Sequence, residues 1–262
     1  DPTLIRLPHG EWMASLSGEF SPGGRFYVAT GGGMELWDLW THRLISGLND
    51  PAITLHCAAF SPDRHLMATG AERWEVIAAR GSPYGEVQFW SVTEGKPVGS
   101  TIRFPYPVLQ VGFGTDGRRL VVCWGPRDSF NYGAAQAWDV ATRRPVGPPI
   151  QHRGSVHQAD FSPDGTRLVT AFADAGLGPC EAQVWNPATG RPIAPPIRHR
   201  DGVAAASFSP DGKWIVTASE DGTARVWNSF SSEPRTPPLQ HTAAVQWAEF
   251  SADGRLVLTA SI

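Results

Sequence analysis

His199, Ser219 and Asp221 have the residue types of an acyl-transfer triad, in which an imidazole takes a hydroxyl proton and a carboxylate orients the imidazole. Glu19, Asp160 and Glu249 each stand immediately before a Phe, at Phe20, Phe161 and Phe250. Carboxylates at such equivalent positions could face one site and hold a hard cation for hydrolysis. A third set has the makeup of a binding surface: Trp74, Tyr84, Trp124, Phe130, Tyr132 and Phe172, interleaved with Arg73, Arg80 and Arg127. Large aromatic and Arg side chains dominate interface hot spots. The motifs H-E-x-x-H, G-x-S-x-G and G-x-x-x-x-G-K-[ST] are absent. No supporting His or Asn set accompanies the three carboxylates, so neither a metal nor a cofactor is expected.

What must position these residues is a repeat. F-S-P-G-G begins at Phe20, F-S-P-D-R at Phe60, F-G-T-D-G at Phe113, F-S-P-D-G at Phe161 and Phe208, and F-S-A-D-G at Phe250. Five of these turns lead to a Trp, at Trp37, Trp90, Trp138, Trp185 and Trp227. Each unit reads as short strands: Val203–Ser207 before the turn, Trp214–Ala218 after it, then Thr223–Trp227, which alternates and ends on Trp. A fourth strand carries Pro148-Pro149, Pro195-Pro196 or Pro237-Pro238. Pro cannot donate to a ladder and so suits an outermost strand. In Ser209-Pro210-Asp211-Gly212 the Pro presets φ and the Gly admits positive φ. Arg64 replaces that Gly in the second unit, which predicts a strained or reshaped turn. The absence of any sustained helical period makes the chain all-β.

The F-S-x-D-G turns, the Trp followed by Asp38, Ser91, Asp139, Asn186 or Asn228, and His152, His199 and His241 ahead of the first strand, with His9 a further candidate, resemble the WD-repeat family of β-propellers over essentially the whole chain. The resemblance implies four-stranded antiparallel blades, here five complete and a partial sixth, as an excerpt of a seven-bladed propeller truncated at both ends and forming one domain over 1–262. It also implies that His199, Thr217 or Ser219, Asp221 and Trp227 form a hydrogen-bonded structural tetrad within their blade, not a catalytic triad. In the second and third repeats Pro51 and Phe104 fall at the His position, so packing must hold those blades. At the end of the chain, Val245–Phe250 and Leu256–Ala260 read as two strands of the last repeat, and Thr3–Leu7 as a fourth strand without its own repeat. The G-x-P-x-x-P-P-I-x-H segment from Gly190 to His199 is in the style of bacterial members, which are often appended to signalling enzymes such as serine/threonine kinases.

The units differ most between their second and third strands, where Ala71–Gly85, Trp124–Gly133 and Phe172–Pro179 are insertions. Irregular parts of a repeat scaffold are where function is sought. Three such loops from consecutive units would meet on one face as a rim carrying Trp74, Arg80, Tyr84, Trp124, Arg127, Phe130, Tyr132 and Phe172. The chain thus reads as a non-catalytic protein- or peptide-binding scaffold, part of a longer multidomain chain. The competing reading is a metal-dependent propeller hydrolase that uses the carboxylates of a central channel.

Composition agrees with a turn-rich, aromatic-cored protein. Of 262 residues 28 are Gly, 23 Pro and 11 Trp, and 18% are charged. The net charge of −3 gives no drive toward nucleic acid or anionic membrane. Cys57, Cys123 and Cys180 lie far apart, without C-x-x-C, which disfavours zinc or a disulfide framework and fits a reducing cytoplasm.

Overall fold

The structure, a computed structural model, describes residues 17–31, 33–74, 83–126, 133–173 and 180–262. All regular elements among them are strands. The first sheet is β1 (Ser17–Phe20), β2 (Phe26–Thr30), β3 (Met34–Asp38) and β4 (Arg43–Leu48); the second is β5 (Ile53–Phe60), β6 (Leu66–Arg73), β7 (Tyr84–Ser91) and β8 (Pro97–Phe104). The third holds β9 (Val108–Phe113), β10 (Arg119–Trp124), β11 (Gly133–Asp139), β12 (Arg144–Pro145) and β13 (Ile150–His152). The fourth holds β14 (Ser155–Phe161), β15 (Leu168–Ala173), β16 (Glu181–Asn186), β17 (Arg191–Pro192) and β18 (Ile197–Arg198). The fifth is β19 (Val203–Phe208), β20 (Trp214–Ser219), β21 (Thr223–Asn228) and β22 (Leu239–Gln240), and β23 (Val245–Phe250) pairs with β24 (Val257–Ser261). Every sheet is an antiparallel meander in chain order, an arrangement consistent with a β-propeller. Thr3–Leu7 and His9 lie outside the described residues.

The turn between first and second strands is built the same way in four of the sheets, at Ser61, Ser162, Ser209 and Ser251. Ser209 Oγ donates to Asp211 Oδ1 at 2.6 Å, the Lys213 amide donates to the same oxygen, and Gly212 sits at φ +68°. In the second sheet Ser61 and Asp63 make the same bond at 2.6 Å, and Arg64 takes φ +66°. The turn is therefore strained, not reshaped: its side-chain hydrogen bonds impose the left-handed conformation on a residue with a Cβ.

The Pro-Pro pairs interrupt the outer strand instead of lying in it. β12 and β13 both pair with β11, and β17 and β18 both pair with β16, on either side of the interruption. A Gln of the third strand bridges the gap, Gln136 Nε2 donating to Gly147 O at 2.8 Å and Gln183 Nε2 to Ala194 O at 2.6 Å.

Apolar faces pack sheet against sheet. Phe26, Leu36, Leu55, Met67 and Trp90 fill the joint between first and second sheets, and Val87, Phe89, Val108 and Leu120 the next. Comparable clusters join the third to the fourth, the fourth to the fifth and the fifth to the sixth. The first strands of the six sheets line a common central cavity of about 790 Å³. A bulge near the start of five of them adds one residue that the ladder cannot pair; His56, Leu109, Ala204 and Gln246 are such residues and face the cavity.

Arg64→Gly removes the Cβ from a left-handed position. Because the freer glycine chain also gains entropy when unfolded, the net gain should be about 1 kcal/mol. Chemical denaturation should show a higher midpoint; a lower one would mean that the Arg64 side chain contributes more than its backbone costs.

Candidate functional site

His199 does not activate Ser219. Ser219 Oγ donates to Asp201 O at 3.1 Å and accepts the Asp221 amide. His199 Nε2 instead meets Thr217 Oγ1 at 2.8 Å, and the same oxygen accepts Trp227 Nε1–H at 2.8 Å. Asp221 Oδ2 faces His199 Nδ1 at 3.2 Å. Burial lowers the pKa of His199 and outweighs the Asp221 carboxylate. Burial also pushes the Asp221 carboxyl up, but hydrogen bonds from Thr223, the Arg200 amide and His199 hold it below its ordinary value. A neutral imidazole whose partner hydroxyl is fully buried and holds an indole is a strut.

The same indole bond recurs where the sequence allows it. Trp90 Nε1 donates to Thr69 Oγ1 and Trp185 Nε1 to Thr170 Oγ1, both at 2.9 Å. In the third sheet the equivalent residue is Val122, and Trp138 Nε1 is buried without a hydrogen-bond partner. In the first sheet Ala29 takes that place and Trp37 Nε1 turns to Glu35 at 3.2 Å. Phe104, at the His position of the third sheet, meets Trp138 edge-on at 5.5 Å and 71°, much as His199 meets Trp227 at 5.8 Å and 74°. His152 packs on Phe172 at 4.6 Å; its Nε2 has no partner, and burial pulls its pKa down to about 4.

Two of the three carboxylates are committed to joining sheets. Glu19 accepts the Phe60 amide at 3.3 Å and Asp160 the Phe208 amide at 3.1 Å, each from the first strand of the next sheet. Gln110 bonds both Ala159 N and O, and Gln158 accepts the Ala206 amide. Burial raises Glu19 to about 7 and Asp160 to about 6 against the opposing effect of those amides. Glu249 lines the cavity. No cluster of three or more His, Cys, Asp or Glu suited to a metal occurs among the described residues. The glycine spacing of Gly112, Gly114 and Gly117 is that of a dinucleotide-binding turn, but it leads into strand β10 and not into a helix that could hold a phosphate.

The aromatic and Arg residues of the predicted rim separate into distinct settings. Trp74, directly after β6, is 49% exposed. Beside it Arg73 lies 3.5 Å from Asp50 and 3.6 Å from Glu86. Tyr84 begins β7 beneath the Arg103 guanidinium at 4.9 Å. Trp124 is only 6% exposed: it ends β10 inside the core and packs on Phe104 at 4.9 Å, so it is not a rim residue. Phe172 lies within β15, against His152. Ala71–Arg73 and Tyr84–Gly85 prolong β6 and β7, so that insertion is in part an extended hairpin. Arg80, Arg127, Phe130 and Tyr132 lie outside the described residues.

Sequence reading missed the Gln110 and Gln158 joints, and also buried Arg167. Arg167 donates to Gly212 O and Ser229 Oγ of the next sheet, both at 2.8 Å, and Arg119 makes the equivalent bond to Gly165 O. The signal was an Arg two residues after the turn Gly, in the two units that have it.

Residues 144–177 and 190–228 match the family model described as WD domain, G-beta repeat. The second match runs from the outer strand of one sheet through the third strand of the next, which is the repeating unit of this fold. The matches support a WD-repeat family, whose repeats generally act as protein-interaction scaffolds. No curated protein matches the chain. No helix among the described residues is long and apolar enough to cross a membrane.

Val122→Thr should offer Trp138 Nε1 its missing acceptor and raise stability by about 1 kcal/mol, whereas His199→Ala should cost about 1–3 kcal/mol and exposed His65→Ala less than about 0.5. Equal melting temperatures for the two His variants would contradict the strut.

The raised carboxyls have a pH signature. In the unfolded chain Glu and Asp release their protons near pH 4, while folded Glu19 and Asp160 keep theirs to about 7 and about 6. They favour the folded state below about pH 4, and that contribution is lost as pH rises through their folded values. Relative to Glu19→Gln or Asp160→Asn, the unmodified chain should therefore lose stability between about pH 4 and 7. Parallel stability–pH curves would show that both carboxyls titrate normally.

Proposed function

We propose that the chain is a WD-repeat β-propeller, part of a longer multidomain protein, that serves as a non-catalytic platform for a protein or peptide. The observation that carries this reading is the exposed Trp74 at the end of the extended β6–β7 hairpin, with Arg73, Asp50 and Glu86 beside it. An exposed indole flanked by charged groups is hot-spot chemistry, and it stands on a scaffold in which His199, Ser219 and Asp221 are locked into structural hydrogen bonds. The loops after β6, β10 and β15 all leave equivalent ends of second strands in neighbouring sheets, which supports one shared rim. Arg80, Arg127, Phe130 and Tyr132 belong to that rim in this reading, while Trp124 supports it from within. The bacterial, cytoplasmic signalling setting rests on the style of the Gly190–His199 segment and on three free thiols.

The test is affinity capture from the source cell with the intact chain, Trp74→Ala and Arg80→Ala. Loss of a hot-spot side chain is worth about 2 kcal/mol or more, roughly a thirtyfold weaker complex. Both variants should melt like the parent, because in this reading both side chains stand on the rim and not in a core. A partner held equally by all three would place the binding surface elsewhere.

A further inference from the structure

A cavity of about 280 Å³ opens between the first and second sheets, next to Arg73. Its walls include Leu48, Ile53 and Leu55, with Thr69 and Trp90 also lining it and Asp50 and Glu86 adding two carboxylates. The cavity corresponds to a place that the fifth sheet fills with its own side chain. Leu55 pairs with Ala71 as Val203 pairs with Ser219, so Pro51 holds the chain position of His199.

The two sites share their chemistry. In the fifth sheet, Asp221 accepts from Nδ1–H of His199, which leaves Nε2 an acceptor for the Thr217 hydroxyl. Thr217 Oγ1 at the same time accepts the Trp227 indole. In the second sheet Thr69 Oγ1 accepts the Trp90 indole at 2.9 Å in the same way. Among the described residues the proton of the Thr69 hydroxyl meets Gln88 O, at 3.4 Å, a poor acceptor distance. Thr69 is 1% exposed, so the cavity is the approach to it. Glu86 and Asp50 offer the carboxylate that Asp221 supplies to His199, and Arg73 between them, with Arg103 at 3.8 Å from Glu86, offsets their two charges. That balance suits a neutral ring with one acceptor nitrogen and one N–H.

We propose that this cavity receives an imidazole: the neutral histidine side chain of a partner polypeptide, with Thr69 donating to one ring nitrogen and a rim carboxylate accepting from the other. The proposal deepens the reading of this face as a binding surface. Its test uses a free small molecule, so the pocket can fail while the Trp74 capture experiment succeeds, and the reverse.

The probe is N-acetyl-L-histidine methylamide at about pH 8, where its ring is neutral. Its binding to the full chain is read by ligand-observed saturation-transfer NMR. The unmodified chain should bind it with a Kd of order millimolar, Thr69→Val at least about tenfold more weakly, and Pro51→His not at all, since the chain's own ring then occupies the cavity. Thr69→Val also strands the Trp90 indole; should it fail to fold, Pro51→His, which removes no buried hydrogen bond, decides alone. Pro51→His should also melt higher than the parent. Absence of transfer to the unmodified chain, or equal transfer with Pro51→His, would overturn the proposal.

Discussion

Among the described residues no backbone ladder crosses from one sheet to the next. Within a sheet every strand is held by main-chain pairing, but at each joint only side chains are available. The faces that meet are accordingly apolar, and the residual polar groups of the first strands are met by side chains reaching across: Glu19, Gln110, Gln158 and Asp160 to amides, Arg119 and Arg167 to turn carbonyls. This constraint accounts for the buried carboxyls of Glu19 and Asp160 at the joints. Their hydrogen-bonding capacity is used by the neighbouring sheet, and their altered pKa values report burial at a joint. Perturbed titration is a frequent mark of active sites, but structural contacts produce it too.

A second constraint acts inside each sheet. The third-strand Trp is large enough to fill a joint, but it carries an N–H that must be satisfied where it is buried. Thr69, Thr170 and Thr217 answer it with one hydroxyl on the strand alongside. A threonine methyl keeps that position compatible with the core while its oxygen takes the indole. Val122 keeps the shape and loses the oxygen, which leaves Trp138 unpartnered. The His of the fifth sheet adds a third member and, through Asp221, ties the turn between β20 and β21 to the outer strand of the previous sheet.

Much of this was legible from residue order. The turn residues, the strand that ends on Trp and the position of His199 are local patterns, and the three strands expected from Val203 to Trp227 appear within one residue of their expected bounds. The Thr217–Ser219 ambiguity was not resolvable because the two residues alternate with Ala218 on one strand, and only the register shows which meets the indole. Trp124 was misread for a related reason: as the last residue of β10 it looks like the start of a loop, yet its side chain turns back onto Phe104. The Pro-Pro pairs looked like strand residues, but the strand breaks around them and a Gln from its neighbour closes the gap. The Gln110 and Gln158 joints link residues nearly fifty positions apart, and no local pattern marks them.

Because the apolar clusters of the described residues each join one sheet to the next in the chain, free energy among those residues is distributed as a series of nearest-neighbour couplings. The third and fourth sheets are supported on both sides, while Leu256 and Leu258 beside and within β24 face solvent. Amide hydrogens of β10 and β15 can exchange only by opening two joints, whereas those of β24 need one. The strand that supplies Thr217 lies next to that joint, so the polar network of His199, Thr217, Asp221 and Trp227 borders the sheet whose Leu256 and Leu258 meet solvent.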